Sequence, residues 1–133
     1  MTAGLCIGIL AAGVVHVLPT DSFTLRWTHS VERTPWEEDF VVQGTALQLR
    51  EARVTRSGAG MDPPPAATWS DGWWRYHPAL GLLPEVILAN SEFADGYVLC
   101  WHGGSCVSLD TVAAKGTPVK IAAMPCAARH ASD

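Results

Sequence analysis

From residue 23 to residue 31 the chain alternates almost strictly. Phe23, Leu25, Trp27 and Val31 are apolar, Thr24, Arg26, Thr28 and Ser30 are polar, and His29 takes an apolar slot. A period of two sends successive side chains to opposite faces, so this is the pattern of a half-buried strand. It groups His29 with Phe23, Leu25 and Trp27 and turns Ser30 the other way, with Glu32. A second strand is expected within 46–54, with Leu47 and Leu49 on one face, and Gln43-Gly44-Thr45 before it predicts a hairpin between 40–42 and 47–54. Further strands are expected at 72–76, 86–89, 97–101, 107–109 and 118–122. Asp71-Gly72, Asp95-Gly96, Gly103-Gly104 and Lys115-Gly116 are the turns that separate them. Residues 57–66, with Ser57-Gly58-Ala59-Gly60 followed by Asp62 and three prolines, read as one long loop. Helical periodicity never persists beyond two turns. The pattern predicts an all-β, single-domain antiparallel β-sandwich or small barrel of about 8–10 short strands. That domain spans 1–126 and is followed by a frayed tail over 127–133.

The first 18 residues are almost wholly apolar. A spanning helix needs roughly 20 such residues. This run is shorter, carries His16 and holds Gly4, Gly8 and Gly13. A cleavable signal needs a basic start, yet no Lys or Arg precedes Arg26. Val14, Val15 and Val17 suit a strand, so 5–10 and 14–18 are read as two strands around Ala11-Ala12-Gly13. An anchor or signal is the alternative, and membrane association and localisation stay open at this point.

Charge narrows the function. Nine basic residues against thirteen acidic ones leave a net charge of −4, and no stretch concentrates Lys or Arg. Nucleic-acid binding through phosphate neutralisation therefore has no footprint, and neither does a polybasic membrane patch. Arg50, Arg53 and Arg56, interleaved with Glu51, read as a solvated edge. No C-x-x-C occurs among the four cysteines, against a zinc ribbon or a thioredoxin-type site. Cys100 and Cys106 flank the Gly103-Gly104 turn and would face each other across a hairpin. They form a disulfide if the compartment is oxidising, which leaves Cys6 and Cys126 to pair across the termini. Four buried thiols are the other reading.

Two segments carry a resemblance. Trp27-Thr-His-Ser-Val-Glu-Arg-Thr-Pro-Trp-Glu-Glu-Asp-Phe40 is similar to the signature of an uncharacterised bacterial family, domain of unknown function 1850. Glu51-Ala-Arg-Val-Thr-Arg-Ser-Gly-Ala-Gly-Met61, with Asp71-Gly-Trp-Trp74, resembles its second block. The likeness implies nearly whole-chain coverage and no established reaction. Genes of this family often lie beside those of tripartite (TRAP-type) transporters with a TAXI-type solute-binding subunit, which implies an accessory role in solute uptake at the cell envelope.

The candidate chemistry is sparse. Adjacent on a strand, His29 and Ser30 diverge, whereas a nucleophile and its base need to lie within about 2.6–3.2 Å. No G-x-S-x-G elbow occurs elsewhere, so the chain is not expected to be an enzyme, and a hydrolase is the least favoured reading. Glu38 shares the parity of Phe40 and Val42 and points inward with them. An inward carboxylate needs a partner, and a His29–Glu38 pair satisfies both groups. With Glu32 the same residues could hold a small molecule or a metal ion. Gly58 and Gly60 could form an anion-binding nest, although a tight bend that uses their positive φ is the favoured reading. Among Trp36, Trp69, Trp73 and Trp74, the neighbours Trp73 and Trp74 must face opposite sides of a strand, and an exposed Trp is a frequent interface anchor. The expectation is a non-enzymatic accessory or binding module without a cofactor, working with a transporter subunit or another protein. Its recognition surface is Trp73 and Trp74 with the loop from Gly58 to Pro65. The alternative is a small-molecule or metal-binding domain built on His29, Glu32 and Glu38.

Overall fold

The computed structural model describes residues 4–29, 34–55, 66–90 and 94–126, without the side chains of His29, Ala94 and Asp95. Eleven strands are found among them: β1 (Leu5–Ala11), β2 (Val14–Leu18), β3 (Ser22–His29), β4 (Pro35–Gln43), β5 (Ala46–Val54), β6 (Thr68–Ser70), β7 (Trp73–Tyr76), β8 (Val86–Leu88), β9 (Ala94–Trp101), β10 (Ser105–Ser108) and β11 (Val119–Pro125). They form two sheets, a short one ordered β2-β1-β11-β8 and a long one ordered β10-β9-β3-β4-β5-β7-β6. Every strand pair is antiparallel. Of the two architectures expected, the open sandwich is the one found; neither sheet closes into a barrel.

The apolar N-terminal stretch supplies β1 and β2. Ile7 and Ile9 of β1 are fully buried, whereas Val14 and Val15 of β2 are 51% exposed, because β2 is an edge strand. No described helix is long and apolar enough to cross a membrane. Opposite β1, Val119 and Ile121 of β11 are also fully buried. These side chains meet Phe23, Leu25, Phe40, Leu47, Leu49 and Leu99 of the long sheet in one apolar cluster. The β3–β4 register sets the facing layer: Phe23 lies opposite Phe40 and Leu25 opposite Glu38. The Phe23 and Phe40 rings stack with centroids 5.0 Å apart.

Besides β6, which the pattern does not predict, and Leu109, which opens a 3-10 turn instead of ending a strand, three local features differ from the pattern read along the chain. The strand expected at 40–42 begins at Pro35, so the acidic run Glu37-Glu38-Asp39 is pleated. Asp95-Gly96 is not a turn but part of β9. There the register against β3 shifts between Arg26 and Thr28, and Gly96 takes φ 60°, so a glycine bulge replaces the expected chain reversal. The third is a bulge at Arg50, where Asp39 pairs with Glu51 but Phe40 pairs with Leu49. The extra residue moves the inward parity from odd (Leu47, Leu49) to even (Ala52, Val54), and all four are buried. Asp71 and Gly72, both at positive φ, make the expected two-residue turn between β6 and β7.

The cysteines join in two pairs, Cys6 with Cys126 and Cys100 with Cys106. Cys100 and Cys106 are direct cross-strand partners, and the Cys6–Cys126 bond ties β1 to the end of β11.

Ile9→Ala should lower unfolding free energy by about 2–5 kcal/mol, because a buried side chain leaves a cavity between the sheets. Ile87→Ala, on the 60% exposed outer face of β8, should change it by no more than about 0.5 kcal/mol. Chemical denaturation of both variants checks the assignment of inner and outer faces.

Candidate functional site

The inward face of the long sheet extends beyond the apolar cluster. Trp27 and Tyr97 pack only on the edge of that cluster and stay partly exposed. Strand register explains what lies there. Trp27 is opposite Trp36, Trp36 opposite Val54, Val54 opposite Trp74, and Trp74 opposite Trp69. Direct partners share a face, so Trp27, Trp36, Val54, Trp74 and Trp69 form one row across five adjacent strands, and Tyr97 extends it onto β9. Trp27 and Trp36 lie 11° from parallel with centroids 5.9 Å apart, and Tyr97 stands 5.8 Å from Trp27. Trp69 and Trp74 meet edge to face at 5.3 Å. Trp69, on the edge strand, is 56% exposed.

One pair further along, a second row runs Leu99, Leu25, Glu38, Ala52, Tyr76. Glu38 is its one carboxylate. Burial holds its carboxyl above the ordinary value of 4.5. Burial, and then the Glu38 charge, also raises the hydroxyls of Tyr76 and Tyr97. An acid is thus placed among tyrosines and tryptophans on an otherwise apolar surface.

The opposite face of the same strands is ionic. Arg53, only 8% exposed, donates from Nε to Glu37 at 3.0 Å and from its two terminal nitrogens to Asp39 at 2.6 and 2.8 Å. It also bonds to Glu51. Arg26 reaches Glu37 and Arg75 reaches Glu51, each at 3.0 Å, and Thr24 donates to Asp39 at 2.7 Å. The solvated edge expected of Arg50, Arg53 and Arg56 is therefore corrected at Arg53, which is the centre of a charge network on an interior strand. Arg50 is exposed at the bulge, and Arg56 lies outside the described residues. Hydrogen bonds to Asp39 hold the Arg53 guanidinium above its usual range against the opposing effect of burial. Burial alone would raise Asp39, but the bonds from Arg53 and Thr24 and the charges of Arg53 and Arg75 lower it overall.

Of the residues singled out in the sequence, Glu38 points inward as its parity requires. Trp74 joins the inward row and Trp73 turns to the face of Arg75, each half-buried. The backbone of His29 pairs with Ala94 at the end of β3; its side chain, and hence a His29–Glu38 pair, lies outside the described residues. So do Ser30, Glu32, Gly58 and Gly60. Among the described residues no group of three His, Cys, Asp or Glu is arranged to hold a metal ion. Sequence reasoning did not assemble Trp27, Trp36, Trp69, Tyr76 and Tyr97 into one surface. Parity along each strand hints at it, but only the pairing of distant strands brings the row together.

An open β-sandwich with one aromatic and one ionic face on its long sheet is the class of protein this defines. The chain belongs to the family described as domain of unknown function (DUF1850), which it matches over residues 23–109, well over half its length. No curated protein and no solved structure matches it.

The two acids have opposite linkage. Glu38 titrates higher in the folded chain than in the unfolded one. Its contribution to stability is complete below pH 4.5 and is lost as pH rises through the folded value. Glu38→Gln should thus melt higher than the native chain at pH 7, with the gap closing as pH falls through the folded value and gone below 4.5. Asp39 titrates lower when folded, so its contribution is present above 3.8 and disappears as pH falls through the folded value. Arg53→Ala should cost about 2–3 kcal/mol at pH 7, less than a fully buried pair because its partners are partly solvated. Thermal melts of both variants across pH 3–8 measure these opposite trends.

Proposed function

We propose that this protein is a non-enzymatic accessory module that binds a partner beside a TRAP-type solute transporter at the cell envelope. The observation that carries the reading is the aromatic row from Tyr97 to Trp69, built on paired strands instead of loops. Rigid aromatic side chains lose little entropy on binding and dominate the energetics of many interfaces. Trp69 and Trp74 at the free edge, rather than Trp73 with Trp74, are the anchors of this surface. The gene neighbourhood implied by the family resemblance supplies the class of partner. Two disulfide bonds favour an oxidising compartment, where a solute-binding subunit also works.

Co-purification of the full chain with the solute-binding subunit of the neighbouring transporter tests this. Trp69→Ala and Trp74→Ala should each cut recovery about tenfold or more, as loss of a hot-spot residue does, while circular dichroism stays native. Ile87→Ala, on the far sheet, should leave recovery unchanged. Equal recovery of all three variants would count against the aromatic row as the contact.

A further inference from the structure

We propose that the corner of the aromatic face around Glu38, bounded by Trp27, Trp36, Tyr76 and Tyr97, is a binding site for an organic ammonium cation. The proposal uses the same face as the partner reading but requires no partner.

Three observations converge. Among the described residues Glu38 is the one acid in the two inward rows, and it sets a localised negative charge at this corner. Its neighbours on the adjoining row are the near-parallel rings of Trp27 and Trp36, and Tyr97 is tilted 38° against Trp27. Ring faces carry the negative end of the aromatic quadrupole and attract cations, most strongly where water is excluded. The remaining neighbours, Leu25, Leu99 and Ala52, are buried and apolar, so little polar surface competes for the charge.

The chemistry also selects against other ligands. An anion would meet the carboxylate. A sugar needs several hydrogen-bonding groups, and these rows offer one carboxylate and two phenols. A hard metal ion needs more oxygen ligands than this corner supplies. An ammonium group carrying methyl or methylene substituents matches both elements, its charge toward Glu38 and its carbons toward the rings. The cost of holding a carboxylate on this face is then offset when the ligand arrives.

Choline is the probe, and 3,3-dimethyl-1-butanol, its uncharged carbon isostere, is the control. Tryptophan fluorescence of the full chain is followed at matched ionic strength. A saturable change with choline is expected, with at least tenfold weaker binding of the isostere. Glu38→Gln should weaken choline at least tenfold while melting no lower than the native chain at pH 7, which separates lost binding from lost folding. Trp27→Leu should reduce choline affinity as well. Equal responses to choline and its isostere, an unchanged response in Glu38→Gln, or no saturable response to choline would each overturn the site. A transporter subunit that still co-purifies while choline gives no response removes the ligand and leaves the recognition face; choline binding without co-purification does the reverse.

Discussion

Ser22 opposite Val41, Phe23 opposite Phe40, and so on to Thr28 opposite Pro35: this one alignment of β3 on β4 holds the centre of the long sheet. Strand pairing has a side-chain period of two, so a slip of one residue would send Phe40 and Trp36 to the outer face and bring Glu37 and Asp39 inward. The apolar cluster between the sheets, the aromatic row beyond it and the ionic network behind it all follow from the same alignment. The neighbouring strands transmit it. Leu99 joins Leu25 on one side and Ala52 joins Glu38 on the other, and the Arg50 bulge keeps the far end of β5 in phase with the core.

Three consecutive acids show how much the pleat decides. Glu37 and Asp39 face outward, where Arg53 and its neighbours satisfy them. Glu38, between them, faces the aromatics and is held protonated to a higher pH by burial. The neighbouring carboxylates of Glu38 and Asp39 therefore titrate in opposite directions, because the pleat sends them to opposite faces. The two faces also differ in what they offer. The outer network is internally matched and rigidifies the sheet. The inner face carries a destabilised acid beside rings that protrude past the core, the imbalance commonly found where a surface is kept for binding at some expense of stability.

The recognition role proposed for this module rests on its inner face. Its aromatic side chains sit on five of six paired strands, and the edge strand β6 leaves Trp69 the most exposed of them. A flat row of this kind provides contact area with little rearrangement. In the proposed site, the charge at Glu38 is what adds selectivity to an apolar surface.

Much of the architecture was legible along the chain because alternation is a local signal. The strand at Phe23–Leu25–Trp27, the hairpin around Gly44, the Asp71-Gly72 turn, the all-β class and the inward direction of Glu38 all depend on residues close in sequence. The family was readable from the segment 27–40 with its companion block. What the chain did not reveal required partners far apart. Asp95-Gly96 carries turn residues, yet β3 alongside it makes the pair a bulge. Arg53 resembles an exposed edge residue until β4 and β7 flank it with acids and Arg75. Trp27, Trp36, Trp74 and Trp69 are spread over more than forty positions and meet only through strand register. Sequence periodicity determined which way each side chain points from its own strand; tertiary pairing decided which side chains stand together, because the energy that selects a register comes from contacts between strands that no local pattern records.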